Sequence, residues 1–160
     1  MKEINLTTKI AVYLLEECSE VEKKLIESAK SATAKAYAPY SQFRVGAAVL
    51  LENGEIIAGN NQENAAYPSG LCAERTTLFF ANASFPDQKV LAIAIAAWHD
   101  GKFTHDVITP CGACRQVLLE AENRFHSSVK ILMYSEEGIY VVPAVRDLLP
   151  LSFGDEMLKK

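Results

Sequence analysis

The sequence predicts a single α/β domain in which helices cover a mixed, five-stranded sheet. Three observations carry this expectation. Apolar residues recur at helical spacing in three separate stretches. Five short apolar runs, bounded by turn residues, lie among and after them and have the length of strands. One of these runs, Val90 to Trp98, is almost uncharged, as a strand buried on both faces would be. A chain of 160 residues is long enough for one such core and too short for two.

The first helical stretch covers residues 6 to 36. Val21, Leu25, Ala29 and Ala32 form its apolar stripe, with Glu22, Lys23, Glu27 and Lys30 elsewhere on the wheel. Ile10, Leu14 and Cys18 continue the spacing backward, so residues 1 to 20 read as an N-terminal helical extension. Pro39 ends the helix by disfavouring helical geometry at Ala38. Val45 to Leu51 is the first strand, Asn53-Gly54 a two-residue hairpin turn, and Glu55 to Gly59 the returning strand. Residues 60 to 71 carry Pro68 and Gly70 and form a loop. Residues 73 to 83 suit a helix packed by Leu78, Phe79 and Phe80. Val90 to Trp98 follows as a strand, then a polar loop over 99 to 109. A helix runs from Cys111 to Phe125 with Val117, Leu118, Ala121 and Phe125 on one side. Strands at Val129 to Tyr134 and Ile139 to Val142 meet around Glu137-Gly138, and a short helix spans Ala144 to Leu149.

The bulk properties exclude several classes of function. The formal charge of −4 and the lack of a basic stripe argue against a nucleic-acid partner. Lys23-Lys24 and Lys159-Lys160 read as solvated surface. No apolar run reaches the ~18 residues of a membrane span, and the start of the chain has no apolar signal core. A cytoplasmic protein with reduced thiols is expected, so Cys18, Cys72, Cys111 and Cys114 read as metal ligands or free thiols.

Cys111 and Cys114 open a predicted helix behind Pro110. A Cys-x-x-Cys pair alone fits a metal site, a redox dithiol or two incidental cysteines. At a helix start the two sulfurs share a face, and the helix dipole favours thiolate. Cys72 stands at the start of the preceding helix and is the candidate third ligand. Three ligands and one open position are the pattern of catalytic zinc. Cys18 lies on an apolar stripe and reads as a buried small side chain. His99, His105 and His126 have no paired spacing and read as loop or surface residues. Glu74, two residues beyond Cys72, is placed to exchange protons with a zinc-activated water. Three thiolates leave zinc a poorer Lewis acid, which Arg75 and Arg115 would offset by hydrogen-bonding a sulfur.

Cys72-Ala73-Glu74-Arg75 with Pro110-Cys111-Gly112-Ala113-Cys114-Arg115 resembles the signature of the cytidine deaminases, specifically their small homotetrameric branch. Tyr40 to Ala48, Gly59 to Tyr67 and Leu148 to Gly154 resemble further stretches of the same family, so the likeness spans about residues 21 to 154. It implies a three-layer α/β/α fold and hydrolytic deamination of cytidine and 2′-deoxycytidine in pyrimidine salvage. One zinc per chain would be held by Cys72, Cys111 and Cys114, with Glu74 as proton shuttle. Asn61 and Glu63 would bind the ribose 3′-hydroxyl, Phe43 would pack on the base and the Ala65 backbone would contact the pyrimidine. Phe153 would reach a neighbouring subunit's site. The chain departs from the family in residues 1 to 20, in Pro68-Ser69-Gly70-Leu71 before Cys72, and in a long connection from Trp98 to Thr109. A deaminase for modified cytosine nucleosides, a zinc staple without catalysis and a nucleic-acid editor are the rival readings.

Overall fold

The computed structural model describes residues 1–158, so Lys159-Lys160 lie outside the described residues. Strands β1 (Ala11–Tyr13), β2 (Arg44–Leu51), β3 (Ile56–Asn60), β4 (Val90–His99), β5 (Lys102–Phe103), β6 (Lys130–Tyr134) and β7 (Ile139–Val142) form one sheet. Its order is β1-β7-β6-β4-β2-β3, with β5 attached to β4. The β4–β6 pair is parallel and every other pair is antiparallel. Helix α1 (Glu20–Ala32) covers one face, and α2 (Ala73–Ser84) and α3 (Gly112–Phe125) cover the other.

The middle strands are buried on both sides, which is why their sequences lack polar alternation. In β4, Ile93 and Ile95 point toward α2 and α3, whereas Ala92, Ala94 and Ala96 point toward α1. In β2, Ala47, Val49 and Leu51 share the first face and Ala48 the second. Small residues on the α1 side let that helix lie close. A Cβ at Gly46 would run into the carbonyl of Ala29. On the other face, a Cβ at Gly59 would meet Thr77 Oγ1 at 2.6 Å, which holds α2 tight against β3.

Four expectations need correction. The sheet has seven strands, because β1 and β5 join the expected five. The N-terminal extension is not helical: residues 11–13 pair with β7, and a single 3₁₀ turn spans Leu15–Glu17. Ser19 then starts α1 by a capping box. Its Oγ accepts from Glu22 N at 3.3 Å, and its own N–H donates to the Glu22 carboxylate at 2.8 Å. The second helix packs through Ala73, Thr77, Leu78 and Ala81, while Phe79 and Phe80 stand 47% and 58% exposed. Three consecutive residues cannot share one helix face. The Ala144 to Leu149 helix is a 3₁₀ turn, Val145–Leu148. Among the described residues no helix is long and apolar enough to cross a membrane.

Candidate metal centre and substrate cavity

The chain turns into α2 at Cys72 and into α3 at Cys111, and each cysteine is the residue that caps its helix. Neither cap contributes a side-chain bond to its own helix, so both sulfurs remain free for other partners. The two helix starts converge. Cys72 Sγ lies 3.9 Å from Cys111 Sγ, Cys111 Sγ lies 3.5 Å from Cys114 Sγ, and all three are within 4.8 Å of one another. Four ligands at about 2.3 Å around a tetrahedral zinc stand about 3.8 Å apart, so this sulfur triangle fits zinc with one position left open. Cys18 is buried in the core between α1 and the sheet, on the other face from this triangle.

The electrostatics favour thiolate at the mouth of the triangle. Hydrogen bonding from Cys114, with help from Arg75 and Cys111, brings the Cys72 thiol down to about 5. The shared proton and burial push Cys114 up instead. Arg75 Nη2 lies 4.0 Å from Cys72 Sγ, and its buried Nε has no partner among the described residues. The Arg115 guanidinium does not take the expected place beside a sulfur. Its Nε donates to the Pro110 carbonyl and its Nη1 to the Leu148 carbonyl, each at 2.8 Å. Arg115 therefore braces the backbone that carries Cys111.

Glu74 sits in the first turn of α2 and is only 5% exposed. Burial, reinforced by the Cys72 charge, raises its carboxyl above the ordinary glutamate value. It faces a cavity of about 440 Å³, within the ~300–1,000 Å³ typical of small-molecule sites. Val45, Asn61, Glu63, Cys72, Glu74 and Ile95 are among its walls. Asn61 is fixed by the chain where it enters β2: its Oδ1 accepts from Val45 N at 2.8 Å and its Nδ2 donates to the Phe43 carbonyl at 2.9 Å. Glu63 accepts from Tyr40 N at 2.9 Å and from the Ser41 backbone and hydroxyl. These bonds fold the Tyr37 to Phe43 segment over the cavity edge.

The expected site residues thus divide. Asn61, Glu63, Cys72, Glu74, Arg75 and Cys111 line the cavity, and Cys114 lies buried just behind it. Phe43, Ala65 and Phe153 are not on its wall. Phe153 is 56% exposed, with its carbonyl accepting from Gln116 Nε2. The sequence reading missed Tyr40, Tyr67 and Ile108, which do line the cavity. It also missed His99, whose ring meets that of Phe43 at a 47° tilt with centroids 5.5 Å apart. Residues 99–103 form a hairpin with β4, and the Asp100-Gly101 dipeptide signals that turn.

Comparison with known proteins agrees with this geometry. A family model described as "Cytidine and deoxycytidylate deaminase zinc-binding region" matches residues 19–128. A cytidine deaminase of Sporosarcina psychrophila is 41% identical over 136 residues, 85% of this chain and 93% of the relative. The crystal structure of cytidine deaminase from Burkholderia pseudomallei superposes with a TM-score of 0.71 at 43% identity, covering 81% of this chain and 97% of that one. Cytidine deaminase from Mycobacterium tuberculosis gives a TM-score of 0.65 at 36% identity, covering 83% and 97%.

Proposed function

Because the chain belongs to the zinc-dependent cytidine deaminase family, we propose that it deaminates cytidine and 2′-deoxycytidine to the corresponding uridines, releasing ammonia, in cytoplasmic pyrimidine salvage. The observation that carries this reading is the placement of three sulfurs and the buried Glu74 carboxyl around one nucleoside-sized cavity. A cluster of free thiols also suits a reducing compartment.

Cys72, Cys111 and Cys114 would hold the metal. When bound there, zinc would lower the pKa of a water, an effect that three thiolates weaken and a hydrogen bond from Arg75 would partly restore. Glu74 does the proton work. Its carboxylate takes a proton from the attacking water and passes it to N3 of the pyrimidine as C4 becomes tetrahedral. It then takes the remaining proton from the new C4 hydroxyl and gives it to the exocyclic nitrogen, which leaves as ammonia as the C4 carbonyl forms. The raised carboxyl suits both receiving and giving a proton. Arg75, beside the Cys72 sulfur, would draw charge from the thiolate and so keep a bound metal electrophilic.

Asn61 and Glu63 would receive the ribose 3′-hydroxyl, each using capacity left over from its bonds to the 37–45 segment. Free cytosine would leave these groups unpaired, so its kcat/KM is expected to fall below that of cytidine by about 10⁴-fold. Side-by-side kinetics on the two compounds check this, and comparable values would remove ribose recognition from the account. Phe43 and the Ala65 backbone would meet the base once the segment closes over it.

The Glu63 bonds also set an acid limit. The Ser41 hydroxyl, followed by the Tyr40 and Ser41 N–H groups, holds its carboxyl below the ordinary 4.5. Its charged, bonded form therefore persists above 4.5 and is lost only as pH falls through the lower folded value. The KM for cytidine is expected to stay flat down to that pH and to rise below it. Acid also strips metal and protonates cytidine at N3, so the rise is assigned to Glu63 by comparison with Ser41→Ala, which removes the strongest of its hydrogen bonds and should move the rise to higher pH. A KM that climbs well above pH 4.5 would contradict the assignment.

A homotetramer with shared active sites completes the proposal. Phe153 stands exposed and off its own cavity wall, as a residue supplied to a neighbour would, and Phe79 with Phe80 leaves apolar surface on α2 for a partner. Light scattering on the purified protein should give four chains per particle.

A further inference from the structure

Glu122 lies on α3, about two turns beyond Cys114, and is completely buried. Its carboxylate takes no part in the proposed chemistry, yet it accepts from donors on two separate elements. One oxygen accepts from Val129 N at 2.9 Å and Val145 N at 2.7 Å. The other accepts from Arg146 Nε at 3.0 Å and, more weakly, from Arg146 N at 3.4 Å. A fully buried carboxylate with this set of donors fixes whatever backbone supplies them.

That backbone is the 3₁₀ turn Val145–Leu148, and it leads back to the metal centre. The Leu148 carbonyl accepts from Arg115 Nη1, and the same guanidinium donates to the carbonyl of Pro110, which is bonded to Cys111. Beyond the turn, the carbonyl of Phe153 is fixed by Gln116, the residue after Arg115. One face of α3 thus grips the turn at its far end through Glu122 and at its near end through Arg115. We infer that Glu122 is a positioning residue for the cysteine triangle, acting through the Val145–Leu148 turn and Arg115 to hold the Pro110–Cys111 backbone. The inference rests on the reading that the three sulfurs hold zinc.

The bonding pattern says which substitution is informative. Glutamine in place of Glu122 keeps an acceptor for Val129 N and Val145 N but turns an NH₂ toward Arg146, whose two donors then face a donor. The turn loosens at Arg146, and with it the anchor of Arg115. Supporting contacts one step away from ligands typically change metal affinity by about 10–100-fold, so Glu122→Gln is expected to lose zinc to a chelator roughly tenfold faster than the parent. Arg146→Met removes only the Nε bond and should shift release in the same direction by less. That variant carries the test if Glu122→Gln does not fold.

General destabilisation would also speed release, so two controls separate it. Ile26→Val lies in the core on the α1 face, and at a matched fall in melting temperature it should leave zinc release unchanged. In an Arg115→Leu background the effect of Glu122→Gln should shrink toward nothing, because the two act through one connection. Strict additivity with Arg115→Leu, or equal acceleration by Ile26→Val, would overturn the inference. So would release from Glu122→Gln and Arg146→Met at the parental rate. A parent protein that binds no zinc fails at an earlier step and removes both this inference and the metal reading.

Discussion

Replacing Glu74 with glutamine leaves zinc in place and lowers turnover of cytidine by about 10²–10⁴-fold. The side chain does not lie among the three sulfurs that gather for the metal, so its loss of charge should not empty the site. What disappears is a group that can accept a proton and return it. Glutamine has nearly the same shape and still fits the 5% exposed niche in the first turn of α2. Folding is therefore expected to survive, and the KM should change far less than kcat. Zinc content by elemental analysis and steady-state kinetics on one preparation check both halves. Full turnover in the variant would mean that another group carries the proton.

Cys114→Ala is expected to have an effect at least as large, by a different route. Cys114 is fully buried, and its sulfur completes the triangle with Cys111 at 3.5 Å. Two thiolates cannot hold zinc against a chelator as three do. Without the metal, an attacking water keeps its high pKa, so activity should fall by at least about 10⁴-fold. The variant should also purify with much less than one zinc per chain. Adding back zinc should restore little activity, whereas it should restore a chelator-stripped parent fully. The contrast with Glu74→Gln separates the two roles, since one variant is inactive with zinc and the other is inactive without it.

The parts of the molecule legible in sequence are those governed by local chemistry. The Asn53-Gly54 turn, the uncharged run of β4 and the Cys111-Gly112-Ala113-Cys114 helix start each carry their signal within a few residues. The cysteine cluster was legible because cysteines at two helix starts have few other uses together. The misread parts depend on non-local pairing. Ile10, Leu14 and Cys18 keep helical spacing, but Ala11–Tyr13 finds the open edge of β7, and the capping box at Ser19 bars the helix from extending backward. Alternation was present there, with Val12 exposed between the less exposed Ala11 and Tyr13, but three residues are too few to outweigh a longer helical pattern. The Asp100-Gly101 pair carries a turn signal, but the strand it closes has only two residues, too few for an apolar pattern.

Arg115 shows the same limit at the site. Its position after Cys114 suggests a partner for a thiolate, but its carbonyl acceptors come from Pro110 and from a turn 33 residues further along the chain. Spacing placed the arginine near the metal and could not say which way it turned. Glu122 was invisible for a related reason. A glutamate within a polar helix stretch reads as solvated surface until the fold brings Val129, Val145 and Arg146 around it.

The sulfur triangle and Glu74 are the groups through which this chain would deaminate cytidine. The most direct test is to incubate the purified protein with cytidine and follow ammonia together with the ultraviolet change from cytosine to uracil. Zinc is measured on the same sample. Equal amounts of ammonia and uridine, about one zinc per chain, and loss of both products after chelation are expected. Protein that carries one zinc per chain and leaves cytidine and 2′-deoxycytidine untouched would contradict this assignment.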